Sequence, residues 1–207
     1  IYCGLPGRGF WLTAVLAPRF LASAFASGPA LLIIFCKVIQ KVTKFDPGNA
    51  AIQTLAKIVA YGLITNVFFL LCEVFVVLYS GIPGHVDHLK YLYLGLHGYT
   101  GMVAWMWSSV LFMLLAIILL VIPGTRQNET LLVFSCILVF FGTWIDKGLG
   151  MMAGGFIPSP LHHVTEYIPS LHELIISAGV AAIGLLVLTL LYKITIRVKE
   201  YSETGLP

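Results

Sequence analysis

Charge is what this sequence has little of. Only 10% of the chain is Asp, Glu, Lys or Arg, against about 25% in soluble domains. A water-soluble globular domain is excluded on that ground. The net charge of +3 is too small, and no basic run interleaves with aromatics, so nucleic acid is excluded as a partner. Cysteine is scarce: Cys3, Cys36, Cys72 and Cys136 form no C-x-x-C pair, and no zinc or iron–sulfur site can be built from them. No Walker loop, nucleophile elbow or dinucleotide fingerprint is present. The start carries no basic region followed by a cleavage site and opens on Ile1 rather than Met, which leads us to expect the back part of something longer.

What the sequence does have is apolar length. Residues of the AVILMFWYC set make up 59% of its 207 positions, and the mean hydropathy is +0.96. A spanning helix needs about 20 mostly apolar residues. Segments near 10–39, 47–79, 93–122, 130–153 and 171–196 qualify. Alternating short strands are missing, so helices rather than a β-barrel are the solution open to the backbone. The expected fold is an all-α membrane protein, a single transmembrane domain over 1–207 with about five helices. Asp46-Pro47 should start the second helix, Pro18 and Pro29 should kink the first, and Ile122-Pro123-Gly124 should end the third. Lys37, Lys41, Lys44, Arg126, Lys193, Arg197 and Lys199 lie at one edge, Arg8 and Lys90 at the other. The positive-inside rule then puts the N-terminus outside and the C-terminus in the cytoplasm.

The six histidines all fall at the edge assigned to the outside, with His97 expected early in the third helix. Arg19, Glu73, Asp146 and Lys147 lie inside spans, Arg19 two or three turns into the first. A charge at mid-bilayer costs about 2.5–3.5 kcal/mol on the lenient scale, so these should be paired or line a wet cavity. Arg19 with Glu73 or Asp146 is a candidate structural ion pair; a proton path or polar cavity wall is the functional alternative. Neighbours on a helix point apart, so Asp146 and Lys147 are not expected to pair. Lys147 should instead reach the interface or a loop carboxylate such as Glu166. A small and polar stripe at helical spacing (His97, Gly101, Ala104, Ser108) suggests close helix packing. His85-Val86-Asp87-His88 lacks a third ligand and reads as a polar loop rather than a metal site. Histidines confined to one edge cannot form a stacked haem pair, so no cofactor is expected on the chain's own side chains.

Three strings carry a resemblance: "FLLCEVFVVLYSGIPGHVDHLKYLYLG", "GTWIDKGLG" and "GGFIPSPLHHVTEYIPSLHELIISAGVAAIGLLVLTLLYKI". They resemble the last five helices of the NrfD/PsrC-like integral membrane subunits of polysulfide reductase-type complexes. The branch they look most like is the ten-helix one, found in sulfate-reducer redox complexes, membrane-bound hydrogenases and alternative complex III. "GRGFWLTAVLAPRFLASAFASGPALL" is similar to that family's sixth helix. The resemblance covers nearly the whole chain and implies the C-terminal half of a larger subunit. Family-pattern polar positions carried over are Glu73, His97, Asp146, Lys147, Glu166 and Glu173, to which His172 is added as a neighbouring candidate.

The resemblance also implies a role. Such subunits sit in the bacterial or archaeal cytoplasmic membrane and exchange electrons between quinone (menaquinone or ubiquinone) and a ferredoxin-like iron–sulfur subunit. Some are proposed to couple this to proton movement. Further candidate partners are multihaem cytochrome c or cytochrome b subunits, the N-terminal half of the same subunit, and membrane lipid. The family's quinone pocket lies in the first bundle, so no quinone site is carried onto a residue of this chain. Two other functions stay open: half of a secondary transporter or ion channel, using the intramembrane charges as its path, and a purely structural membrane anchor.

Overall fold

The computed structural model describes residues 8–42, 48–159, 163–164 and 170–204. Among them the chain is helical, with no β-strand. It divides into two compact units, Ile1–Glu166 and Tyr167–Pro207.

Five helices are long and apolar enough to cross a membrane: Leu16–Val42, Asn49–Ser80, Val103–Val121, Glu129–Phe156 and Leu171–Val198. In the first unit, α1 (Leu16–Val42), α2 (Asn49–Ser80), α4 (Val103–Val121) and α6 (Glu129–Trp144) form a ring. Helix α1 packs on α2 and α6, and α4 closes on α6 and α2. Short helices α3 (Pro83–Tyr93), α5 (Pro123–Gln127) and α7 (Met152–Phe156) join or extend them, and a π-helical stretch, Ile145–Met151, links α6 to α7.

Small residues set the helix separation. Ala22, Ser23, Ala26 and Ala30 form the buried stripe of α1, the means by which helices approach closely where lipid offers no hydrophobic drive. Gly62 of α2 lies where they cross; a methyl there would sit 3.0 Å from the backbone of Ala26 and Phe25. The apolar core is continuous through Ile33, Leu63, Met113, Leu120, Leu132 and Val139. A second apolar cluster, including Phe10, Trp11, Tyr91, Leu92 and Met151, caps one end.

Several expected boundaries move. The first helix begins at Leu16, preceded by a 3₁₀ turn at Gly9–Trp11. Arg19 is therefore in the first turn of α1, not two or three turns in. Pro18 shares that turn, where no N–H partner is lost and no kink follows; Pro29 alone is interior. Asp46-Pro47 lies outside the described residues, and α2 begins at Asn49 behind Gly48. The expected third span divides in two. Pro83–Tyr93 is a separate helix, and the spanning helix starts only at Val103. Between them Leu96 and Tyr99 exchange backbone hydrogen bonds of 3.2 and 3.0 Å across His97 (φ 51°) and Gly98 (φ 88°). Positive φ at both central residues is the signature of a type I′ turn.

In the second unit, α8 runs Leu171–Thr204. The Ser170 N–H donates to Glu173 Oε2 at 2.7 Å. This is the returning half of a capping box, satisfying a donor that the helix start leaves free.

Candidate functional site

Near one end of the ring, four charged side chains from three elements converge. Arg19 of α1 donates to Glu73 of α2 through Nη1 and to Asp146 Oδ1 through Nη2 at 2.6 Å. Lys147 Nζ lies 2.9 Å from Asp146 Oδ2. Arg19, Glu73 and Asp146 are 3%, 6% and 1% exposed, so water screens none of these pairs. Two cations and two anions leave the cluster formally neutral, as burial in a low-dielectric bundle requires.

The Asp146–Lys147 pair corrects the expectation that these neighbours cannot meet. Both belong to the π-helical stretch, whose i→i+5 bonding widens the turn. The flexible four-carbon stem of lysine then folds back along it. Lys147 neither reaches the interface nor projects outward: its side chain is 12% exposed, and its ammonium sits 5.6 Å from the centre of the Phe20 ring.

Beside the cluster lies a cavity of about 20 Å³, lined by Arg19, Glu73, Asp146, Tyr93, Met106 and Met151 among others. That is room for about one water molecule, where organic ligands need hundreds of Å³. A quinone ring does not fit here. Arg19 Nε is buried with no hydrogen-bond partner, so a cavity water would have a donor to meet.

The end over the cluster is closed by side chains that take up orphaned carbonyls. A helix leaves its last carbonyls unpaired. At α7, Arg8 donates to the Phe156 carbonyl at 2.8 Å and lies 5.0 Å from the Phe156 ring centre. His88 Nδ1 meets the Ile157 carbonyl at 3.0 Å. At the start of α7 rather than its end, Trp11 donates its indole N–H to the carbonyl of the N-cap residue Met151 at 2.9 Å. The indole lies against Gly155, where a Cβ would clash with the ring. Burial pushes the His88 pKa below its ordinary value, with His85 and Arg8 adding repulsion against backbone hydrogen bonds that oppose the shift. Burial likewise raises the Tyr93 phenol, helped by Asp146.

The structure thus brings Arg19, Glu73, Asp146 and Lys147 together. It does not bring His97 to them: that side chain is exposed in the turn and does not line the cavity. The proposed stripe through His97, Gly101, Ala104 and Ser108 is not a helix face, because its first two members precede the helix. The buried stripe of α4 is Met106, Ser109, Met113, Ala116 and Leu120. His172 and Glu173 belong to the first turn of α8, in the other unit. Glu166 lies outside the described residues. Sequence reasoning missed Trp11 and His88 as cap residues and Tyr93 as a cavity wall, since nothing in their spacing marks them. It also missed Ser109, whose hydroxyl donates to the Gly142 carbonyl at 2.7 Å. Among the described residues no group of three or more His, Cys, Asp or Glu is placed to hold a metal ion.

The family model described as "Polysulphide reductase, NrfD" matches residues 4–159. A putative dimethyl sulfoxide reductase membrane subunit of Halobacterium salinarum is 23% identical over 209 residues, covering 90% of this chain and 46% of the relative. The chain spans about half the length of the curated relative it matches.

Proposed function

The chain belongs to the NrfD (polysulphide reductase) family of membrane proteins, and from that premise we propose that it serves a respiratory complex by linking membrane quinone to an iron–sulfur partner. Electrons pass between the quinone and that partner. Every quinol oxidised, or quinone reduced, moves two protons with two electrons. Quinone docks away from the buried cluster, whose cavity is water-sized. The cluster's part is with protons. The observation that carries this is the Arg19 guanidinium held between Glu73 and Asp146 in a buried, neutral network. A proton arriving at either carboxylate releases one arm of Arg19, and the departing proton restores it; a cavity water at Nε would relay it. Positioned carboxylates of this kind contribute about 10²–10⁴-fold to proton transfer. The setting is a bacterial or archaeal cytoplasmic membrane, with the cluster at the outer edge and the C-terminus inside. Support for that orientation is the lysine and arginine excess at the opposite edge.

The test is the double variant Asp146→Asn/Lys147→Gln in the assembled complex. It removes one charge of each sign and keeps the cluster neutral. Quinol-dependent turnover should fall at least about a hundredfold, with thermal stability close to the parent's. Turnover at the parent's level would make the cluster a structural ion network and sink the proton role.

A further inference from the structure

At the opposite end of the ring, the last turns of α1 and the start of α6 frame a cleft of about 230 Å³. Its floor is apolar: Ile34 and Val38 from α1, Val133 from α6. Its rim carries Lys37, Lys41 and Glu129. Lys37 Nζ lies 2.9 Å from Glu129 Oε1, with the lysine side chain only 11% exposed and the glutamate 75% exposed. Lys41 has no ion-pair partner among the described residues. The division into a cationic rim and a greasy floor is the division of a phospholipid.

Geometry puts the rim at headgroup depth. Helix α1 has 27 residues and is about 40 Å long at 1.5 Å per residue. That exceeds the roughly 30 Å hydrocarbon core, so its final turn lies among headgroups. The lysines must supply the attraction, because Asn128 Oδ1 already accepts from the Thr130 and Leu131 N–H groups at the start of α6, at 3.1 and 3.4 Å. Free phosphate would use the rim alone and leave the floor of Ile34, Val38 and Val133 without a role.

We infer that this cleft binds an anionic phospholipid, its phosphate between Lys37 and Lys41 and an acyl chain along Ile34, Val38 and Val133. Glu129 competes with the phosphate for Lys37. Being mostly exposed, it can swing away when the lipid arrives. This site is independent of the electron- and proton-handling reading above.

Native mass spectrometry of the detergent-solubilised full chain, titrated with dioleoylphosphatidylglycerol or dioleoylphosphatidylcholine, tests it. One lysine near a headgroup corresponds to about fivefold in affinity. Phosphatidylglycerol should bind at least about fivefold more tightly than phosphatidylcholine. Lys41→Gln should weaken phosphatidylglycerol alone by about fivefold. Glu129→Gln should strengthen it, because the competitor is gone. Val133→Trp should abolish it with every lysine in place, which loose attraction to surface charge cannot explain. Equal binding of the two lipids, an unaffected Val133→Trp variant, or displacement of the lipid by millimolar inorganic phosphate would each overturn the assignment.

Discussion

Helix α1 carries an ion pair at each end, and the two differ in almost every physical respect. Arg19, in its first turn, bridges two carboxylates and is 3% exposed. Lys37, about 27 Å further along the axis at 1.5 Å per residue, meets one carboxylate that is 75% exposed. Attraction at the first site is strong because the medium is poorly polarisable, and desolvation there is severe for the same reason. At the second site the lysine is largely covered but the glutamate stands in water, which weakens both the attraction and the glutamate's desolvation. The comparison shows that an ion pair's contact distance says little about its worth. The Lys37–Glu129 and Lys147–Asp146 distances are both 2.9 Å, yet only the second is committed to one geometry by the packing around it.

The sharpest way to break that contrast is Arg19→Leu. It strands Glu73 and Asp146 side by side with Lys147 as the one remaining cation of the cluster. Removing one partner of a buried pair costs about 3–5 kcal/mol, and two acids lose a partner here. We expect the largest drop in thermal stability of any substitution named here, read by unfolding in detergent. A loss no greater than that of Glu129→Gln would mean the cluster is wetter than its burial indicates.

Trp11→Leu comes next. It removes the indole donor to the Met151 carbonyl, a hydrogen bond worth about 0.5–1.5 kcal/mol, and opens space over Gly155. The cap should loosen, with faster hydrogen exchange across 150–157 and little change in α2. Unchanged exchange there would remove Trp11 from the closure.

A smaller effect belongs to His88. Its folded pKa lies below the ordinary value because burial disfavours the charged ring. The unfolded chain then binds the proton more readily. His88's neutral packing costs nothing above the ordinary value of about 6.5, and stability is lost as pH falls from there toward the folded pKa. Unfolding temperature between pH 7.5 and 5.5 should fall more in the parent than in His88→Gln. Equal slopes would show that His88 does not sense pH in this range.

How much of this was legible in the sequence depends on which physical signal each part uses. Apolar length announced the five spans, because a bilayer leaves few other solutions. The cost of intramembrane charge singled out Arg19, Glu73, Asp146 and Lys147. Their mutual arrangement was less visible. Lys147 was misplaced because the neighbour rule assumes α geometry, and the Ile145–Met151 stretch is π-helical. His97 was put in a helix although Gly95 and Gly98 bracket it; those glycines were the available signal for a turn with positive φ. The cap could not be foreseen at all, since Arg8, Trp11 and His88 act on carbonyls of α7 and its flanks that are distant in sequence.

The smallest expected effect tests the exposed end of the comparison. Glu129→Gln removes the partner of Lys37 and keeps the side chain's shape. An exposed pair is typically worth about 0.2–1 kcal/mol. Two local terms adjust it in opposite directions: Glu129 opens α6, where its negative charge favours the N-terminus by a few tenths of a kcal/mol that the variant also loses, while Lys37 can relax into headgroups. The unfolding temperature should therefore shift slightly downward, and the shift should vanish as salt rises and the Debye length shrinks from about 10 Å at 0.1 M to 3 Å at 1 M. The buried cluster gives the contrasting pattern, because ions cannot enter it: the cost of Arg19→Leu should be the same at both salt concentrations. If Glu129→Gln proves salt-insensitive and costs as much as a buried break, the α1–α6 end is not open to solvent. The cleft beside it would then be part of a closed core rather than a place for lipid.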